Sequence, residues 1–301
     1  MSLTSEARAT ALALEPLRFA GPVPGFATGT LTSLRDIAAH RELMDLLIRR
    51  ELKAKYKDSA LGFVWSLLKP LALLLVYYVA IGKFLGAARQ IDDFAIFIFT
   101  GLTAWQLVTD IVVPGTGSIV ANSGLIKKVY LPREVFPLAV VGSALFNFAI
   151  QLAILVAATV AVGRFPVGPN WLYFPLSLLV LLVFSTAMAL LLSAVNVYLR
   201  DVQYLVEIAF MILFWASPIV YSWALVQEEL TAAWMQAVYL ANPVTLAVLG
   251  FQQTFWVAGA GEPIPDHLGT RLLIALGIGV VLLWFCQRVF AKLQSNFAQE
   301  L

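Results

Sequence analysis

Residues 171–198, WLYFPLSLLVLLVFSTAMALLLSAVNVY, run without a single Asp, Glu, Lys or Arg. A helix needs about 20 mostly apolar residues to cross about 30 Å of hydrocarbon, so this stretch is long enough to span a bilayer. Inside lipid the backbone N–H and C=O groups find no water, and an α-helix satisfies them within its own segment. A barrel strand would be shorter and would alternate polar with apolar residues, and this stretch does neither. The sequence therefore predicts an all-α integral membrane protein.

The same reading, carried outward, predicts six spans at about 61–82, 94–113, 135–163, 171–198, 204–223 and 270–291. Composition agrees. The 301 residues are 60% hydrophobic and 13% charged, with mean hydropathy +0.85, against about 45–50% and 25% in soluble domains. A net charge of +2 is too small to suggest nucleic acid as a partner. The lone cysteine, Cys286, excludes an internal disulfide framework and any CxxC motif. Glu6 and Glu15 interrupt the first thirty residues, which read as a mobile tail rather than a secretory signal. Gly21 to Gly29, with Pro22, Pro24 and Gly25, reads as a linker. The domain reading is a tail at 1–33 and a six-helix membrane domain at 34–301.

Charge sets the orientation. Fifteen of the 20 Lys and Arg fall on the same side of the membrane as the N-terminus; four, Lys83, Arg89, Arg164 and Arg271, fall on the other, and Lys69 lies within a span. The positive-inside rule then places both termini in the cytoplasm.

Before the first span, 41–57 reads as an amphipathic helix. Leu43, Met44, Leu47, Ile48 and Leu52 share one face, and Arg49, Arg50, Lys53 and Lys57 gather on the other, with Leu46, Glu51 and Lys55 out of pattern. Such a helix lies in the cytoplasmic interface with its apolar side in the acyl boundary, or docks on the protein's own surface. The loop 114–134 interleaves apolar and cationic residues from Leu125 to Glu134, which suits docking on another protein or on the membrane surface. At 224–269, Ala232–Leu240 and Val244–Trp256 are apolar but too short to cross, and Asn242-Pro243 separates them. They read as short external re-entrant helices that could cover the outer mouth of a pathway.

Chemistry finds little support. His40 and His267 fall on opposite sides of the membrane, and no HExxH or clustered Cys/His spacing exists, so neither catalysis nor a metal site is expected. Within the spans the ionisable residues are read as only Lys69 and Glu207, both close enough to the inner surface to be solvated. Pro70 should kink span one. Phe210, Phe214, Ser217 and Tyr221 recur at helical spacing in span five, and Trp65, Tyr77 and Tyr78 mark span one. Such aromatics pack, face lipid, or present flat surfaces over which sugar rings can slide.

Four stretches together resemble a known family: YKDSALGFVWSLLKP at 56–70, LIKKVYLPREVFPL at 125–138, NVYLRDVQYLVEIAFMILFWASPIVYS at 196–222 and ANPVTLAVLGFQQTFW at 241–256. The likeness is to the permease subunits of ABC exporters for lipid-linked polysaccharides, such as O-antigen, teichoic acid, capsule and galactan, and it runs from about residue 40 to the C-terminus. The resemblance implies a homodimer in the bacterial inner membrane that binds two copies of a separate ATPase. ATP and Mg would sit in that partner; this chain lacks a GxxxxGK[ST] run. It further implies that 41–57 is the interface helix, with Arg49, Arg50, Lys53 and Lys57 as its cations. Leu125, Lys127, Lys128, Tyr130, Pro132, Arg133 and Glu134 would couple to the ATPase, 232–256 would form the outer gate, and Trp65, Tyr77, Tyr78, Phe210, Phe214 and Tyr221 would line the sugar passage. An ABC exporter of drugs or small lipids would share this architecture. A secondary transporter would need ion-binding groups in broken helices, and a membrane glycosyltransferase would need acidic metal ligands, for which Asp92-Asp93 is the only adjacent aspartate pair.

Overall fold

The computed structural model describes residues 26–56, 59, 64–128 and 131–301, and among these it contains only helices and loops. Five helical segments are long and apolar enough to cross a membrane: Trp65–Phe84, Phe94–Ala121, Val135–Ala161, Pro169–Tyr198 and Leu268–Asn296. In chain order the α-helices are α1 (Phe26–Ala39), α2 (Arg41–Tyr56), α3 (Trp65–Tyr77), α4 (Phe94–Ala121), α5 (Ser123–Ile126), α6 (Val135–Ala161) and α7 (Tyr173–Tyr198). They continue with α8 (Val202–Trp215), α9 (Trp223–Glu229), α10 (Ala233–Leu240), α11 (Pro243–Phe255), α12 (Leu268–Leu293) and α13 (Phe297–Glu300). A π-helical turn, Tyr78–Phe84, prolongs α3. The protein is an integral membrane protein.

The predicted boundaries shift in three places, and the packing of α2 takes one of its two expected forms. Helix α1 begins inside the stretch read as linker and tail. Span two does not stop at 113: α4 continues through Pro114 to Ala121, taking in the first third of the expected loop. Span five, predicted at 204–223, is a 14-residue helix that ends at Trp215. Its continuation is blocked by Pro218, whose ring cannot join an α-helix without losing a backbone bond. Finally, α2 does not leave its apolar face to the acyl chains. Leu47 is buried in a cluster with Ile126, Val135, Phe136 and Ala139, so α6 covers that face. Gly142 admits the approach: a Cβ there would lie 2.4 Å from Ile48 Cδ1.

The path of the chain follows from two clusters at opposite ends of the bundle. Tyr173, Leu176 and Val180 of α7 meet Leu268 and Leu272 of α12 at one end. Ala194, Val197 and Tyr198 meet Phe290 and Phe297 at the other, where the Tyr198 hydroxyl donates to the Leu293 carbonyl at 2.9 Å. Helices α7 and α12 therefore run parallel, and the chain between them must climb the bundle once. Helix α8 makes that climb, rising about 21 Å at 1.5 Å per residue. Beyond it, Ile219 touches α4 at Gly101, and Trp223 and Val226 join the cluster that holds Leu268. The α10–α11 pair, bent by 85°, then begins and ends at that same end. Pro243 lines a groove with Phe184 and Leu282, partway along the bundle, while Phe255 and Trp256 return to meet Trp171 and Phe97.

Helix α4 is the axis of the core, buried over 72% of its apolar window, whereas α3 is buried over only 6%. Thr100, Thr103 and Thr116 of α4 return their hydroxyls to the carbonyls of Ile96, Phe99 and Val112, so these three enter the core with their donors paired. Helix α11 reaches α7 so closely that a Cβ on Gly250 would lie 2.0 Å from Ser177 Oγ. Gly250→Val is expected to overpack this contact and destabilise the fold by about 1–3 kcal/mol, read as a lower unfolding temperature in detergent; an unchanged temperature would show that the two helices can part at no cost.

Candidate functional site

Helices α3 and α8 lie on one flank of α4 and leave a seam between them. Trp105, near the middle of α4, forms its floor, 5.5 Å from Phe210 and 5.5 Å from Phe214 between ring centroids. Tyr77 of α3 closes on Phe214 at 5.7 Å. These rings line a groove of about 480 Å³ that also meets Gln106, Thr109 and Glu207. Toward the end of the bundle that holds α2, a second cavity of about 790 Å³ adjoins it, sharing Leu73 and Gln106 and lined by Trp65, Lys69, Pro70, Asp110 and Asn147. The two cavities together form a trough, walled by aromatic rings in its upper part and largely apolar below, where Lys55, Lys69, Asp110 and Asn147 are among the polar groups at its wall.

Of the six aromatics expected to face a passage, Trp65, Tyr77, Phe210 and Phe214 line this trough. The other two point elsewhere. Tyr78 packs against Phe94 at 6.3 Å, with the Lys83 ammonium 5.7 Å from its ring. The Tyr221 hydroxyl donates to the Trp215 carbonyl and lies 3.2 Å from the Tyr239 hydroxyl, tying the end of α8 to the bent pair.

One residue of the lower cavity corrects the reading that Lys69 and Glu207 are the only ionisable residues within the spans. Asp110 stands inside α4, in the very stretch predicted as span two. Its Oδ1 accepts from Gln106 Nε2 at 2.8 Å, its Oδ2 from Asn147 Nδ2 at 3.1 Å, and Lys55 Nζ lies 3.9 Å away. A carboxylate at this depth is tolerated because two amide donors and an ammonium replace part of its lost hydration. Sequence reasoning had the signal, a single acid in an otherwise apolar span, and passed over it. Trp105, Gln106 and Asn147 gave no such signal, since one aromatic or amide in a membrane helix is unremarkable until its neighbours are known.

At the terminal end of the bundle, the loop residues expected to couple to an ATPase separate into two groups. Lys127 and Lys128 are exposed just past the single turn of α5. Arg133 instead lies 5.8 Å over the Phe297 ring, and Glu134 is buried at 3% exposure, accepting from Gln294 Nε2 at 3.4 Å. Leu125 is half-buried against the cluster under α2, Pro132 is half-buried, and Tyr130 lies outside the described residues. On α2, Arg49, Arg50 and Lys53 are exposed and Arg50 reaches Asn122 at the end of α4; Lys57 lies outside the described residues.

Comparison with known proteins agrees with this architecture. The model of the ABC-2 type transporter family matches residues 42–256, which takes in α2, the trough and the bent pair, and the chain belongs to that family. It is 32% identical over 271 residues to the O-antigen export system permease protein RfbA of Myxococcus xanthus, covering 89% of this chain and 98% of that one. It is 27% identical to the protein of the same name from Klebsiella pneumoniae, over 86% and 96% of the two chains. It is 24% identical to the polysialic acid transport protein KpsM of Escherichia coli, over 79% and 91%.

Two predictions follow the geometry. Asp110→Leu strands the amide donors of Gln106 and Asn147 and should lower stability by about 1–3 kcal/mol, whereas Asp110→Asn, which keeps an acceptor, should lower it less; equal losses in thermal unfolding would refute the pairing. Burial pushes the Glu134 carboxyl above the usual carboxylate range, with Gln294 and Arg288 only partly opposing it. A raised pKa means that Glu134 favours the fold most when protonated and least as pH rises through its folded pKa. Glu134→Gln should therefore gain on the wild type in unfolding temperature at pH 8 relative to pH 5, and a gap that shrinks as pH rises would contradict this.

Proposed function

We propose that this chain is the permease half of an ATP-driven exporter that carries a lipid-linked polysaccharide from the cytoplasmic to the outer side of the bacterial inner membrane. The trough between α3 and α8 is the observation that supports this reading. Rings at Tyr77, Trp105, Phe210 and Phe214 offer flat apolar faces, and in the largely apolar lower cavity Lys69, Gln106, Asp110 and Asn147 offer hydrogen bonds to a headgroup whose hydroxyls cannot be stripped of water without replacement. Leu68 and Leu71 of α3 and Tyr204, Leu205 and Ile208 of α8 stay exposed on either side of the trough. A second copy of the chain laid against them would close the trough into a conduit. The names of the relatives, which concern O-antigen and polysialic acid export, point to the same substrate class.

In this reading both termini are cytoplasmic, α2 is the interface helix, and the α10–α11 pair is a re-entrant gate at the outer exit. The power stroke comes from a separate ATPase that holds ATP and Mg. ATP shifts the population of conformers only by binding one better than another, and the permease feels that difference through its contacts with the ATPase. Lys127 and Lys128 are the exposed cations of the α5 loop and the residues on which that contact rests.

The test is co-purification followed by charge reversal. The full chain should bring down a P-loop ATPase in equal amount. Lys127→Glu with Lys128→Glu should leave membrane insertion intact and abolish both the co-purification and surface display of the polysaccharide. Normal export by the double variant would remove the coupling assignment, and uphill solute transport by vesicles holding this chain alone would remove the reading as a whole.

A further inference from the structure

A second groove lies on the flank of the bundle away from the trough, where α12 passes the α10–α11 pair. Its volume is about 400 Å³. Small side chains make it: Ala275 and Gly279 of α12 form the floor, and Ala237 of α10 leaves the opposite wall low. Ile274 and Ile278 at its edge are more than half exposed, so the groove opens sideways, into the bilayer. Along α12 it runs from Arg271 to Leu282, about 16 Å at 1.5 Å per residue. That is close to half of the roughly 30 Å hydrocarbon core, the depth of a single leaflet.

The chemistry at its upper end is specific. Arg271 is the one charged residue that lines the groove. Its Nε donates to the Asp266 carbonyl at 3.0 Å, and among the described residues no carboxylate pairs with it. It also stands in the first turn of α12, where the positive end of the helix dipole disfavours a cation and favours an anion. A phosphate placed there would meet both the guanidinium and the helix terminus, with an acyl chain below it in the apolar channel.

We propose that this groove binds one anionic phospholipid of the leaflet at the loop-rich end of the bundle, its phosphate on Arg271 and one chain between α12 and the α10–α11 pair. A lipid seated there braces the bent pair against α12, so that the pair's position depends on the surrounding lipid. The inference needs only that the chain spans a membrane, and it stands or falls apart from the exporter reading.

The experiment is thermal unfolding of the purified full chain in detergent with added dioleoyl phosphatidylglycerol or dioleoyl phosphatidylcholine. The anionic lipid should raise the unfolding temperature more than the zwitterionic one. Arg271→Gln should erase that difference, and so should Ala237→Phe, which plugs the groove from an exposed position. As a second measure, mass spectrometry of lipids that co-purify should show phosphatidylglycerol enriched several-fold over the membrane in wild type and not in Arg271→Gln. Equal responses to the two lipids in wild type, or a preference that survives either substitution, would overturn the proposal. So would disulfide cross-linking of Ile278→Cys between two copies, since the groove would then be covered by protein.

Discussion

A helix that stops inside hydrocarbon leaves carbonyls with no partner, and the half of this protein that holds the α10–α11 pair is arranged around one such stop. Helix α8 ends at Trp215, and Ala216 to Ile219 continue as non-helical backbone within the bundle. Their polar groups are taken up by the bent pair. Thr245 Oγ1 donates to the Ala216 carbonyl at 3.4 Å, Gln252 Nε2 to the Pro218 carbonyl at 2.8 Å, and Asn242 Nδ2 to Ser217 Oγ at 3.3 Å. Irregular backbone at membrane depth persists only where protein or water satisfies it. The broken span and the bent pair are therefore one unit: α8 can end early because α11 supplies the donors, and α11 can enter because α8 presents acceptors to a helix carrying Asn, Thr and Gln.

Much of the architecture was legible because hydrophobic length is a one-dimensional property. The uncharged run at 171–198 and the span at 135–163 emerged within two residues of their structural limits. What the sequence hid was decided by contacts between distant segments. Nothing in residues 204–223 alone says whether Ser217-Pro218 bends a spanning helix or ends it, because the answer lies in the donors at 242–252. Likewise α2 looks like an interfacial helix by periodicity, and only Gly142 on α6 reveals that a protein surface is shaped to receive it.

The trough shows the same division. Aromatic spacing along α8 pointed to Phe210 and Phe214, and the third partner, Trp105, belongs to a helix with no periodic signal of its own. Asp110 differs, since a carboxylate between residues 94 and 113 was visible by inspection, and its role as the acceptor for Gln106 and Asn147 emerged only when α4 and α6 were brought together. The loop from Leu125 to Glu134 divides for a physical reason too. Lys127 and Lys128 sit past the end of a single turn, in solvent, whereas Glu134 stands where α6 meets the end of α12 and has lost its water.

Helix α3 is fitted most closely at its upper end. Gly82 fits against the Phe94 ring, where a Cβ would lie 2.7 Å away, and Tyr78 rests on the same ring. Lower down, Trp65, Leu68 and Leu71 are exposed, and Pro70 denies the helix a bond to the carbonyl of Ser66. Such a helix is fastened where a glycine meets an aromatic ring, and along the rest of its length a changed side chain meets the trough or the surroundings of the bundle rather than the packed interior around α4.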